Sequence, residues 1–173
     1  IYNMEELGDS LIGGSGWIDP VQGDYTVSSE FDPNRPPLFV DGKQISSQGH
    51  YAIDLAMPVG TPLVATHNGV VIANYFSEYG GNILEVRVSS DLYYKYVHTS
   101  KILVQVGQRV QQGQLVAESG GDPNMPTGPN GEYDKGSSGP HLHFQINEGG
   151  NSNLYAVDPR NYISFSGVYT GGN

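Results

Sequence analysis

Two short words hold most of the chemistry open to this chain. Gly49-His50-Tyr51-Ala52-Ile53-Asp54 places an imidazole and a carboxylate four residues apart, and Gly139-Pro140-His141-Leu142-His143-Phe144 places two imidazoles two apart. A third word, Tyr96-Val97-His98-Thr99-Ser100-Lys101, adds His98 between them. The chain has five histidines; the remaining one, His67, sits at a Thr66-His67-Asn68-Gly69 turn, where a structural or exposed position is expected. Two imidazoles and one carboxylate make the ligand set of a catalytic zinc, with the fourth position left open. Two histidines then remain for proton transfer, which suits a group titrating at about pH 6.5. Metal-assisted hydrolysis is the reaction class these residue types imply.

The elements around the words must bring them together. Side chains alternate along a strand, so His50 and Asp54 share a face, as do His141 and His143. A strand is preferred over a helix for the first word because Pro58 and Pro62 follow within a turn. Two such strands side by side would gather all four groups on one concave face. Further strand-like runs are Val27–Phe31, Leu63–Thr66, Gly69–Tyr75, Asn82–Val88, Tyr93–His98, Gln108–Val110, Gln114–Ser119 and His141–Asn147. Many short β-rich runs without helical periodicity predict an all-β antiparallel sheet, sandwich or barrel. Two stretches read as loops: the turn-rich Trp17–Gly49, with Asp32–Pro37 at its centre, and the long aperiodic Gly120–Gly139, which runs directly into His141.

Composition narrows the function classes. At 173 residues the chain is one domain's worth, and 24 Gly, 11 Pro and only 15% charged residues suit a turn-rich β fold. A net charge of −10, with eight Lys and Arg, argues against a nucleic-acid partner and against attraction to anionic membranes or wall polymers. There is no cysteine, which excludes disulfides and Cys-ligated structural zinc. No apolar run is long enough to span a membrane. The start at Ile1, without a signal-peptide pattern, and the glycine-rich Tyr169–Asn173 end lead us to expect a domain cut from a longer protein. The expected organisation is an N-terminal extension or linker over 1–16, a catalytic domain over 17–166 and a linker remnant over 167–173.

In order and spacing these words resemble the lysostaphin/LytM-like zinc endopeptidases of bacterial cell walls. That family carries H-x-x-x-D, then P-x-G-T-P-V-x-A, Y-x-H-x-S, a V-x-x-G-x-x-V-x-x-G-Q turn and S/T-G-P-H-L-H-F. This chain carries Pro58-Val59-Gly60-Thr61-Pro62-Leu63-Val64-Ala65, Tyr96–Ser100, Val106-Gly107-Gln108-Arg109-Val110-Gln111-Gln112-Gly113-Gln114 and Ser138–Phe144, followed by a matching Tyr155-Ala156-Val157-Asp158-Pro159. The resemblance covers roughly residues 45 to 163. It implies a compact antiparallel β domain whose groove is walled by loops. It implies one zinc ion per chain, held by His50, Asp54 and His143, with His98 and His141 as catalytic histidines and Asn153 as a substrate contact. The implied substrate is a peptide of peptidoglycan, in the stem or the cross-bridge. The implied setting is extracellular: a secreted lysin, a bacteriocin or a phage-encoded hydrolase acting on the bacterial cell wall, as a monomeric domain of a larger modular protein.

Two departures stand out. The Gly121–Ser137 segment is long for the family and is expected to rebuild one wall of the groove. The tyrosine that lysostaphin-like members carry shortly before the first ligand is missing from Gly42–Gly49. Three rival functions are compatible with parts of this sequence. A non-catalytic wall-binding relative would typically have lost metal ligands. A biotinyl- or lipoyl-type carrier would need a lysine in a Met-Lys setting, which does not occur here. A metallo-amidase of sugar–peptide bonds is separated by identifying the cleaved bond.

Overall fold

The computed structural model describes residues 16–169. The expected 1–16 extension, apart from Gly16, and residues 170–173 lie outside the described residues. Thirteen strands follow in chain order: β1 (Thr26–Ser29), β2 (Leu38–Val40), β3 (Lys43–Ser46), β4 (Ile53–Ala56), β5 (Pro62–Val64), β6 (Gly69–Ser77), β7 (Gly81–Ser89), β8 (Leu92–Ile102), β9 (Arg109–Val110), β10 (Leu115–Ser119), β11 (Leu142–Glu148), β12 (Ala156–Val157) and β13 (Val168–Tyr169). Two 3₁₀ turns, Asn153–Tyr155 and Pro159–Asn161, are the helical segments among the described residues. The all-β expectation holds, and every strand-like run named from the sequence contains or overlaps a strand.

The main sheet runs β13-β1-β4-β11-β8-β7-β6-β9. β12 pairs with β11, and β10 bridges β8 and β5. All of its pairs are antiparallel except β1 with β13. The strand β13 falls within the segment expected to be a linker remnant, and it adds to the sheet edge beside β1.

Alternation explains why this sheet forms. On one face Ile53 and Leu55 of β4, Leu142, Phe144 and Ile146 of β11, Tyr94 and Tyr96 of β8, and Leu84 and Val86 of β7 are fully buried. Tyr94, Tyr96 and Phe144 stack edge-to-face or tilted, with centroids 5.5–6.2 Å apart. Each buried side chain of this size contributes roughly 1.5–3 kcal/mol, so this face supplies most of the cohesion. The opposite face of the same central strands is polar and carries Asp54, His143, Gln145, Asn147, Lys95 and Glu85. It is the face on which the site is built.

The structure adds one element that the turn-rich reading of Trp17–Gly49 missed. β2 and β3 form a separate two-stranded hairpin, closed by Asp41-Gly42. Both turn residues have positive φ, 52° and 77°, the backbone of a primed hairpin turn. Its Leu38, Phe39, Val40 and Ile45 are exposed, so no inward–outward pattern marks its strands in the sequence.

Candidate metal centre and active site

Register brings the ligand candidates together. Asp54 of β4 is the direct partner of His143 of β11, so the two side chains rise from adjacent positions on the polar face. His50 lies just before β4, fixed by an isolated bridge to Asp32. The expectation of two neighbouring strands with converging faces is met, with two corrections: His50 precedes β4 and His141 precedes β11, each at an isolated bridge instead of within its strand.

The three groups converge tightly. His50 Nε2 lies 3.1 Å from Asp54 Oδ2, and His143 Nδ1 lies 3.4 Å from Asp54 Oδ1. Among the described residues, His50, Asp54 and His143 form the group whose ligand atoms all lie within 4.8 Å of one another. His50 Nε2 and Asp54 Oδ1 are buried and make no well-directed hydrogen bond within the protein. Buried polar atoms are normally paired, so two orphans aimed at one point fit a cation. Two imidazoles and a carboxylate are the donors a divalent zinc takes.

Each imidazole has its second nitrogen committed elsewhere. His50 Nδ1 lies 2.8 Å from Glu30 O, which can only accept, so Nδ1 carries the proton and Nε2 faces Asp54 unprotonated. Gln145 Nε2 donates to Asn147 Oδ1 and Asn153 Oδ1, both at 2.9 Å. That leaves Gln145 Oε1 to accept from His143 Nε2 at 3.3 Å and frees His143 Nδ1 toward Asp54. Burial raises the Asp54 carboxyl, but the hydrogen bonds and charge that His143 and His50 offer it when protonated outweigh that and hold the group far below the usual carboxylate range. Burial lowers His50, yet the hydrogen bond and charge that Asp54 offers the protonated ring outweigh it and leave its pKa raised.

His98 and His141 stand beside this group. Their rings are 4.8 Å apart, and His98 lies 6.1 Å from the His143 ring. His141, bridged to Gly120 just before β11, places Nε2 4.0 Å from Asp54 Oδ1. Its Nδ1 faces Gly139 O at 2.8 Å and Ser137 Oγ at 3.2 Å. Burial, with smaller contributions from His98 and His143, lowers the His141 pKa below the ordinary value.

His98 owes its position to an irregularity. Thr99 pairs with Asn82 and Tyr96 with Leu84, so Val97 and His98 together oppose Ile83 alone. His98 adopts φ 66°, a region non-glycine residues seldom enter. Regular alternation would turn His98 to the core face beside Tyr94 and Tyr96; the bulge breaks the alternation and re-aims it. The His98 Nδ1 lies 2.6 Å from Asp134 Oδ2, a contact absent from the sequence reading. Asp134 comes from the long Gly120–Gly139 loop and carries no local signal in the sequence.

The loops shape a groove of about 650 Å³ over Asp54 and His141, with Arg35, Leu38 and Ile45 on one side and Lys135, Gly136 and Ser137 on the other. The long loop therefore forms one wall, as expected, and the β2–β3 hairpin forms the facing one. Asn153 does not line this groove. It opens the first 3₁₀ turn and borders a separate concavity with Phe31, Pro33, Tyr51 and Leu154. His67, as expected of a structural histidine, packs on Trp17 with centroids 5.1 Å apart and places Nδ1 3.0 Å from Asn68 O; it is buried, not exposed.

This sheet, groove and His-Asp-His cluster are the features of a metallopeptidase domain. The model of peptidase family M23 matches residues 48–159, and the chain belongs to that family. The peptidoglycan DD-endopeptidase ShyA of Vibrio cholerae is 34% identical over 127 residues, covering 73% of this chain and 26% of that protein. The glycyl-glycine endopeptidase ALE-1 of Staphylococcus capitis is 36% identical over 125 residues, covering 71% of this chain and 31% of that protein. The chain thus spans about a quarter to a third of the length of these curated relatives. Among solved structures, a zinc-containing peptidase from Vibrio cholerae superposes with TM-score 0.66 at 31% identity, covering 83% of this chain and 39% of that one. The catalytic domain of the antimicrobial peptidase lysostaphin from Staphylococcus simulans gives TM-score 0.62 at 31% identity, covering 79% and 90%.

Proposed function

We propose that this chain is a zinc-dependent endopeptidase domain that cuts peptide bonds of bacterial peptidoglycan, in the stem peptide or the cross-bridge. The observation that carries the reading is the convergence of His50 Nε2, Asp54 and His143 Nδ1 at the floor of an open groove, beside two more imidazoles. His50, Asp54 and His143 would hold one zinc ion; the single carboxylate leaves that site with net positive charge. When bound, zinc supplies Lewis-acid chemistry, polarising the scissile carbonyl and acidifying water. His98 and His141 divide the proton work. One accepts the proton of the attacking water at its unprotonated Nε2; the other steadies the developing oxyanion or hands a proton to the leaving amine.

ShyA and ALE-1 are named for peptidoglycan and glycyl-glycine cleavage respectively, which supports a wall peptide as substrate. An extracellular site of action follows from such a substrate, in a secreted lysin, a bacteriocin or a phage-encoded hydrolase. The net charge of −10 supports a monomeric catalytic module whose wall affinity comes from another part of a modular protein. Asn153, held by Gln145, is proposed as a substrate contact in the separate concavity it borders with Tyr51 and Leu154.

The test is release of new amine termini from purified Gram-positive peptidoglycan, with zinc and with chelator, followed by mass identification of the fragments. Zinc-dependent release is expected, and the fragments give the bond. Zinc-loaded protein that releases nothing from walls with glycine or alanine cross-bridges would instead be a binding module.

A further inference from the structure

The four imidazoles of the site are not equally supported. His50 and His141 each direct Nδ1 at a neutral backbone carbonyl, Glu30 O and Gly139 O, and His143 directs Nε2 at the Gln145 amide. Asp54 faces the inner nitrogens of His50, His143 and His141; of the supporting contacts behind the four rings, the one to His98 is the one made by a carboxylate. Asp134 is 3% exposed, its Oδ2 lies 2.6 Å from His98 Nδ1, and its Oδ1 accepts the Gly136 N–H at 2.9 Å. The long loop supplies this carboxylate, so the loop does more than wall the groove.

Local geometry shows a built contact. Gly81 has φ 64°, and a Cβ there would lie 2.5 Å from Asp134 Oδ2, so the carboxylate occupies space that only glycine leaves open. Gly136 sits so close to Tyr79 that a Cβ would fall 1.8 Å from its carbonyl oxygen. The Lys135 N–H donates to Glu78 O at 2.8 Å. The Lys135–Glu78 ion pair beside it is more than half exposed and contributes little. These contacts clamp residues 134–136 against the β6–β7 turn, the same turn whose Gly80 O accepts the His98 N–H at 2.8 Å. Loop and bulge therefore position one another.

We propose that Asp134 is a positioning residue for His98: it accepts the Nδ1–H, holds the ring in the tautomer whose Nε2 is unprotonated and directed away from Asp134 toward the metal centre, and stabilises the imidazolium when His98 takes a proton. The proton that His98 accepts goes to Nε2; the Nδ1 proton stays on the ring, and Asp134 itself remains unprotonated. A carboxylate placed behind one histidine and not the other marks His98 as the ring on which positive charge develops. This assignment rests on His98 being catalytic, as proposed above.

The experiment uses the full chain, zinc-loaded, with Asp134→Asn, Asp134→Ala, His98→Ala and the double variant Asp134→Ala/His98→Ala. Expected is a fall in kcat of at least about 30-fold for both Asp134 variants, with KM and bound zinc unchanged, and a double variant no slower than His98→Ala alone. Single Asp134 variants within about threefold of the parent, or an Asp134 effect that persists in full without His98, would overturn the proposal. Fully active His98→Ala would overturn the catalytic reading of His98, a separate failure. A readout independent of activity is the two-bond ¹H–¹⁵N spectrum of the parent, which must show His98 protonated at Nδ1 and bare at Nε2. The reverse tautomer would refute the proposal even if the variants failed to fold.

Discussion

The metal half and the proton half of this site are held by different means. Asp54 and His143 face each other across a regular antiparallel ladder, on strands whose other faces carry Ile53, Leu55, Leu142 and Phe144 into the core. Their positions follow from sheet register. His98 and His141 sit where the ladder fails: one on a bulge at positive φ, the other at an isolated bridge before β11. Their positions follow from loops. Two of the three ligands are therefore set by the core ladder, with His50 joining them from an isolated bridge before β4, whereas the proton end depends on what the Gly120–Gly139 loop does.

The largest effects should come from the ladder side. Asp54→Ala or His143→Ala should abolish hydrolysis and reduce bound zinc from one equivalent to none by metal analysis, because three ligands become two. The fold should survive, since neither side chain packs in the core, and circular dichroism melts would show it. Retention of zinc by the Asp54 variant would break the comparison at its root.

The loop side predicts the opposite signature. His98→Ala and His141→Ala should each lower turnover by at least about 100-fold while one zinc stays bound. Zinc loss in either variant would show that the two halves are not separable.

This division also explains what could be read from the sequence. The ligand words are legible because strand alternation and a His-Asp spacing are local facts. Adjacency of β4 and β11 then needs only that two hydrophobic-backed strands pair. His98 could be singled out through its word, but its aim could not: alternation alone sends it into the core, and the bulge depends on tertiary pairing. Asp134 was invisible because an acid in an aperiodic loop looks solvated until the loop's path is known. Gln145 was within reach, since residue i+2 from a strand histidine shares its face. The β2–β3 hairpin also had a usable mark in Asp41-Gly42, but its exposed strands offered no alternation to support it.

Gln145 sharpens the comparison from inside the ladder. It fixes the His143 tautomer and is itself held by Asn147 and Asn153. Gln145→Ala should weaken zinc binding by about 10- to 100-fold, measured by chelator competition, and leave kcat at saturating zinc nearly unchanged. A selective loss of kcat would place Gln145 with the proton machinery instead.

The smallest effect is a pH dependence that should also divide along this line. His50 must present a bare Nε2 to ligate, but Asp54 raises its pKa above the ordinary value. A proton therefore competes with zinc from a higher pH than for a free imidazole, and affinity falls as pH drops through that raised value, by up to about tenfold per pH unit for each proton displaced. His141 has the opposite sign: burial lowers its pKa, so it stays neutral into more acid solution. On acidification zinc should weaken before His141 charges, and excess zinc should restore activity in that interval. Zinc affinity that stays flat from about pH 8 to about pH 5.5 would show that the Asp54–His50 contact does not govern metal binding.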